Sequence, residues 1–118
     1  MNIEEIKKHL KNEVIVEVRR QEMINGKFEP WYKNKELSMQ AKGVMHYLWD
    51  QLEWTNKTNI KFITYQFGNS EYEVKCALNE LIKVGYLVAY KTKNKRVRFD
   101  LFRSKFRCEP KVYIDDLL

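Results

Sequence analysis

Positively charged side chains are concentrated between residues 91 and 107. A cluster of one sign creates a local field that attracts polyanions, and Lys and Arg neutralise the phosphates of nucleic acids. The stretch therefore indicates a surface for a polyanion, with a solvated hairpin tip as the simpler alternative. Its only acidic residue is Asp100, and its eight basic residues are Lys91, Lys93, Lys95, Arg96, Arg98, Arg103, Lys105 and Arg107.

A second group of polar side chains falls on one side of a predicted helix over residues 71–84. At 100° per residue, the apolar side centres on Val74 and Leu81. Asn can pair with adenine through two hydrogen bonds, and Lys can reach guanine or phosphate. We therefore expect this polar side to read bases. It carries Tyr72, Cys76, Asn79 and Lys83, with Lys75 beside them.

Three carboxylates on the same helix count against that interpretation. Glu71 and Glu73 suit a helix N-terminus, where capping and the helix dipole favour negative charge. Glu80 lies on the flank away from Lys75 and would repel a nearby phosphate. An acidic helix of this kind also fits a protein-binding surface.

The remaining residues that could support chemistry do not form a site. His9 and His46 stand in no ligand-spaced pair with a cysteine, whereas a zinc site needs four ligands. Cys76 beside Lys75 could be a redox-sensing thiol, but an incidental small residue is the simpler interpretation. The acidic residues 115 and 116 predict a frayed tail. We expect no enzyme activity, cofactor or metal.

The composition predicts one compact domain. The chain has 118 residues, 44% of them apolar, and a formal net charge of +6; this size and apolar content fit a single folded core rather than disorder. No apolar run approaches the roughly 18 residues of a membrane span, and no signal peptide is recognisable, so we expect no membrane. Two cysteines cannot form a disulfide framework, which predicts a cytoplasmic location.

The first third of the chain predicts mixed elements. Residues 3–11 have apolar residues at helical spacing, and Val14–Val18 is typical of a strand. Asn25-Gly26 indicates a tight turn, after which Phe28–Tyr32 could return as a partner strand. Pro30 would restrict that strand to an edge or end it early.

Clearer helix signals begin at Ser38, a predicted N-cap for a helix over residues 38–53. After a polar loop, Thr58 or Asn59 can cap a second helix that Gly68 ends, although its β-branched and aromatic content also fits a strand. Ser70-Glu71-Tyr72-Glu73 is a capping box that begins the third helix, and Gly85 ends it. Strands over 86–90 and 97–102 follow, joined by the basic turn Lys91–Arg96.

Two motifs within this pattern carry a family resemblance. One is Leu-Ser-x-x-Ala-Lys-Gly, from Leu37 to Gly43; the other is Ala-Leu-x-x-Leu-x-x-x-Gly-Tyr-Leu, from Ala77 to Leu87. Residues 36–102 resemble winged helix-turn-helix domains, in particular those of phage and plasmid replisome organisers and small regulators of Gram-positive bacteria. The resemblance implies an α+β fold with a three-helix core and a β-hairpin wing. It also implies DNA binding by the third helix and the wing, often as a dimer.

These expectations assign a role to each segment. Residues 1–35 form an N-terminal helix and strand extension that could support dimerisation, 36–107 the winged domain and 108–118 a C-terminal tail. The expected base contacts are Tyr72, Lys75, Cys76 and Asn79. The expected contacts to the DNA backbone are Ser70, Lys83, Lys91, Lys93, Lys95, Arg96 and Arg98.

The sequence thus predicts a sequence-specific double-stranded DNA-binding protein that acts as a homodimer, such as a small phage or plasmid regulator or replication accessory factor. The alternative is a winged-helix module that binds protein, such as a phage-encoded inhibitor of a host enzyme. Six aromatic residues exceed what a small core needs and could form a dimer surface or receive a protein partner. They are Trp31, Tyr32, Trp49, Trp54, Phe102 and Phe106.

Overall fold

The computed structural model describes residues 14–21, 28–106 and 110–118 and has an α+β fold. In these residues, three helices pack against one mixed sheet of four strands. None of these helices is both long and apolar enough to cross a bilayer. The helices are α1 (Met39–Gln51), α2 (Ile60–Phe67) and α3 (Glu71–Val84), and the strands are β1 (Val16–Gln21), β2 (Lys57–Thr58), β3 (Leu87–Lys91) and β4 (Val97–Phe102).

The helices begin and end at the residues whose side chains favour those ends. The Ser38 hydroxyl accepts a hydrogen bond from the Ala41 amide at 3.1 Å, and Asn59 Oδ1 accepts one from the Phe62 amide at 2.7 Å. Gly85 follows α3 with a φ of 111°, and a Cβ there would lie 2.9 Å from the Phe106 carbonyl oxygen. Only glycine fits both the left-handed backbone and this close approach. The predicted N-caps and the glycine ends of α2 and α3 are confirmed, whereas α1 ends at Gln51 rather than at residue 53.

The strand order in the sheet is β2-β1-β4-β3. β1 runs parallel to β4, with Val16 opposite Val97, whereas β3 and β4 form an antiparallel hairpin. β2 is a two-residue strand at the far edge, within the predicted polar loop. The strand predicted in the N-terminal extension therefore lies between two others in the sheet, starting at Val16 rather than Val14.

The return strand predicted over Phe28–Tyr32 is wrong. A single turn of 3₁₀-helix, Trp31–Lys33, follows Pro30 instead. Proline has no amide hydrogen to donate to a sheet, and its fixed φ suits the residue before a helical turn. The predicted helix over 3–11 and the Asn25-Gly26 turn lie outside the described residues.

The core lies between the sheet and the three helices, and the C-terminal segment is part of it. A second 3₁₀ turn, Ile114–Asp116, places the Ile114 side chain in the core at 0% exposure. Leu117 is also buried. The frayed tail predicted for this segment is therefore wrong, because its apolar residues pack against the domain. The helices and strands contribute the other large core side chains, among them Met45, Leu48, Ile63, Leu78, Leu81, Leu87, Phe99 and Leu101.

Candidate nucleic-acid interface

The turn between β3 and β4 has a defined backbone geometry. The Thr92 amide donates to the Arg96 carbonyl at 2.8 Å, and the Lys95 amide donates to the Thr92 carbonyl at 2.9 Å. The Thr92 hydroxyl accepts from the Arg96 amide at 3.2 Å. Lys95 closes the turn with a φ of 61°, in the left-handed region where glycine or asparagine is favoured. The hydrogen bonds hold a lysine in a conformation that is unfavourable for its residue type.

Four cations surround this turn, and we call them the tip cations: Lys91, Lys93, Lys95 and Arg96. All four side chains are exposed. Within the part of the chain that the structure describes, no carboxylate lies within ion-pair distance of any of them. Their charges are therefore available to a polyanion.

Two further residues of the predicted basic cluster lie beside carboxylates, whereas Arg107 lies outside the described residues. Arg98, an expected contact to the DNA backbone, lies 3.3 Å from the Glu17 carboxylate because the parallel register places these residues side by side. Contact of Arg98 with the DNA backbone stays a prediction, and it would compete with this ion pair. Lys105 pairs with Glu36 at 3.0 Å, and this hydrogen bond raises the pKa of the Lys105 ammonium.

The outward side of α3 carries a ridge of exposed side chains. Tyr72 is 77% exposed, and Cys76 and Lys83 are exposed as well. A hydrogen bond with the Cys76 thiol raises the pKa of the Tyr72 hydroxyl above its ordinary value. The three side chains follow one another along the outer surface, as the helical spacing predicts. We call them the α3 ridge.

Asn79 lies beside this ridge, but the C-terminal segment uses part of its amide. Asn79 Oδ1 accepts a hydrogen bond from the Ile114 amide at 2.9 Å. The Lys111 ammonium also donates to the Lys83 carbonyl oxygen. Bidentate recognition of adenine needs the oxygen of the Asn amide as well as its nitrogen. The Asn79 oxygen therefore fixes the C-terminal segment on α3, and base contact by Asn79 stays a prediction that requires this hydrogen bond to open.

Glu80 on α3 and Ser70, the N-cap residue that precedes it, have structural partners. The Glu80 carboxylate accepts hydrogen bonds from the Ser38 amide and, at 2.9 Å, from the Ser38 hydroxyl. These hydrogen bonds give the Glu80 carboxylate a structural role, which accounts for its presence on a helix expected to approach phosphates. The Ser70 hydroxyl accepts from the Glu73 amide at 3.1 Å, so this expected backbone contact already serves the capping box. Lys75, an expected base contact, is partly buried and lies against the same depression as Leu118.

The capping box predicts a pH dependence of stability. Hydrogen bonds from Ser70, first its backbone amide, and from Asn69 lower the pKa of Glu73 below the ordinary value of 4.5. The stabilising contribution of the carboxylate is therefore present above pH 4.5 and is lost as the pH falls through the lowered pKa. Glu73→Gln should lower the urea midpoint at pH 7, and the deficit should be smaller at pH 3, where more of the carboxylate is protonated. An equal deficit at both pH values would contradict this role.

The placement of the C-terminal segment on α3 was not predicted from the sequence. Val112, Ile114 and Leu117 are apolar residues in a short acidic stretch, and this spacing was the available signal.

Among the residues that the structure describes, no three His, Cys, Asp or Glu side chains are grouped so that they could hold a metal ion.

The exposed residues of α3 and of the hairpin that directly follows it in the chain are thus the α3 ridge and the tip cations. Comparisons of the chain with protein-family models, curated proteins and solved structures found no match.

Proposed function

We propose that this chain is a winged-helix protein that binds double-stranded DNA. The α3 ridge would enter the major groove, and the tip cations would contact phosphates beside it. The observation that carries the proposal is the exposed, unpaired charge of the tip cations on the hairpin that directly follows α3. We further propose that it acts as a dimer and as a small regulator or replication accessory protein.

The conformation of Lys95 supports a role for the turn beyond connecting two strands. A non-glycine residue in the left-handed region is about 1–2 kcal/mol less stable than one in an ordinary helical conformation. Such residues persist where the surrounding structure holds them, and they are enriched at functional sites. A lysine at this position carries a charge to the end of the hairpin, where glycine would relieve the strain but carry none.

The division of contacts follows from the side chains that remain exposed. The tip cations would supply affinity without sequence preference, because phosphates are the same at every base pair. Tyr72 and Cys76 could touch base edges, and Lys83 could reach guanine or phosphate. With the Asn79 oxygen engaged by the C-terminal segment, base discrimination would depend mainly on the α3 ridge.

The test is a titration of the whole chain into labelled duplexes of mixed sequence at several salt concentrations. Phosphate binding should give an affinity that falls as salt rises, with a log–log slope of about −0.9 per contact. Absence of binding at about 50 mM salt would overturn the proposal. Selection from a random duplex pool then reports the preferred site, and an enriched palindrome would indicate a two-fold symmetric dimer.

Lys95→Gly should change stability and binding in opposite directions. Glycine adopts the left-handed backbone conformation without strain, so the substitution should raise the free energy of unfolding by about 1 kcal/mol. Loss of one phosphate contact should weaken duplex binding about eightfold at 0.1 M salt and reduce the salt slope by about 0.9. Urea unfolding and fluorescence anisotropy measure the two effects. Lys93→Gln is the matched control, which should lose affinity without gaining stability; unchanged duplex affinity of Lys95→Gly would exclude contact by Lys95.

A second candidate is a protein-binding module, such as an inhibitor of a host enzyme. The C-terminal segment on Asn79 and the acidic first turn of α3, with Glu71 and Glu73, favour it. Under this candidate, the α3 ridge would bind a protein partner with little dependence on salt, and no duplex would bind at low salt. Comparing capture of one defined host protein in low and high salt with the duplex titration distinguishes the two.

A further inference from the structure

A groove lined by aromatic rings lies at the other end of β4 from the tip cations. It has a volume of about 370 Å³, and its walls include Phe28, Trp31, Tyr32, His46, Trp49 and Arg103. β4 has six residues, and at about 3.3 Å per residue its ends are roughly 17 Å apart. Arg103 follows the last residue of β4, whereas the tip cations precede its first. The groove is therefore a separate surface from the candidate duplex interface.

The rings of the groove are unusually open to solvent. Tyr32 is 55% exposed and Phe28 is 48% exposed. The Trp31 and Tyr32 rings meet edge to face, with centroids 5.3 Å apart and an angle of 88°. Trp31 itself packs against the core, so it holds the Tyr32 ring from one side. Adjacent rings of this kind offer flat faces on which another planar group can stack.

Two guanidinium groups accompany the rings. Arg20 lies over the Trp49 ring at 5.6 Å from its centroid, and Arg103 lies at 5.5 Å from the same centroid. In the described part of the chain, neither pairs with a carboxylate, and no acidic side chain lines the groove. A guanidinium over an aromatic ring keeps N–H groups with which it can bind a phosphate. The groove thus combines stacking faces with the Arg103 guanidinium in its wall and the Arg20 guanidinium over its Trp49 ring, and among the described residues neither has a carboxylate partner.

We propose that this groove binds single-stranded nucleic acid, with a base against Tyr32 and the neighbouring phosphates on Arg20 and Arg103. Single-strand sites combine aromatic stacking faces with cations that follow the backbone. A proline-rich peptide would use the rings, but it would leave both guanidinium groups without an anionic partner. A basic peptide is disfavoured because the lining is cationic. The proposal is independent of duplex binding, since it uses none of the tip cations or the α3 ridge.

The test uses the full chain and a labelled eight-nucleotide oligothymidine, followed by fluorescence anisotropy. Tyr32→Ala should weaken binding by about 5- to 100-fold, as loss of one base–aromatic stack does. Tyr32→Phe keeps the ring and should bind as wild type does. Arg103→Gln should weaken binding about fivefold at 0.1 M salt, because one phosphate contact to a single strand is lost.

Two controls separate this site from other surfaces. Trp54→Ala removes a ring that is 67% exposed and outside the groove, and it should leave oligothymidine binding unchanged. The combined Lys93→Gln, Lys95→Gln and Arg96→Gln variant should lose duplex binding but keep most oligothymidine binding. The groove variants should show the reverse pattern, so failure of either proposal is recognisable by itself.

Three results would overturn the inference. The first is no oligothymidine binding by wild type at low salt. The second is wild-type affinity in both Tyr32→Ala and Arg103→Gln. The third is binding of a proline-rich peptide that depends on Tyr32 while the oligonucleotide does not compete. Thermal unfolding of each variant establishes that the loss arises in a folded protein.

Discussion

Replacing Lys93, Lys95 and Arg96 together with glutamine is expected to weaken duplex binding by on the order of 10²- to 10³-fold at 0.1 M salt. Each phosphate contact lowers the log–log salt slope by about 0.9, so loss of three should reduce its magnitude by about 2.7. These side chains are exposed and do not support the core. The free energy of unfolding should therefore change little, and anisotropy titrations at several salt concentrations measure the effect.

A matched charge control shows whether the position of the cations matters. Lys33, Lys35 and Lys57 are exposed cations outside the hairpin, and their replacement with glutamine removes the same net charge. This variant should bind duplex DNA far better than the hairpin variant. If both triple variants lose the same affinity, net charge alone would explain the binding, and the role given to the tip cations would be wrong.

Ile114→Ala is expected to lower the free energy of unfolding by about 2–5 kcal/mol, as truncation of a buried Ile in a packed core does. Ile114 is fully buried, and its amide donates to Asn79, so the C-terminal segment should lose its attachment to α3 as well. Urea unfolding followed by circular dichroism measures the loss. For a domain of this size, such a loss is a large part of the total stability.

Leu118→Ala is the control in the same segment. Leu118 is 36% exposed, so its truncation should lower the free energy of unfolding much less than truncation of Ile114 does. Nearly equal effects of the two substitutions, or a loss below about 1 kcal/mol for Ile114→Ala, would contradict a structural role for the segment.

The helices and their N-caps could be predicted because their signals are local. The Ser38 and Asn59 caps and the capping box at Ser70 each act within four residues. The β3–β4 hairpin follows from two short apolar runs separated by a polar turn. The tip cations and the α3 ridge lie on these local elements. Their exposure could therefore be predicted from the sequence.

The parts that could not be predicted depend on distant contacts. Val16 pairs with Val97, 81 positions later, and no local pattern indicates which strand a β-branched run will join. Asn79 has the helical position expected for it, yet the segment that binds its amide lies 35 residues further along the chain. Pairing of Arg98 with Glu17 has the same origin, because it follows from the position of β1 in the sheet.

The parallel pairing of β1 with β4 also affects the order in which the chain can fold. β1 is synthesised before the three helices and β3, but the strand it pairs with is completed only at Phe102. The helices can form in the nascent chain while β1 still lacks that neighbour. Contacts so distant in sequence slow folding, because a long loop must close before they stabilise anything. We therefore expect the sheet to assemble only after β4 has been synthesised.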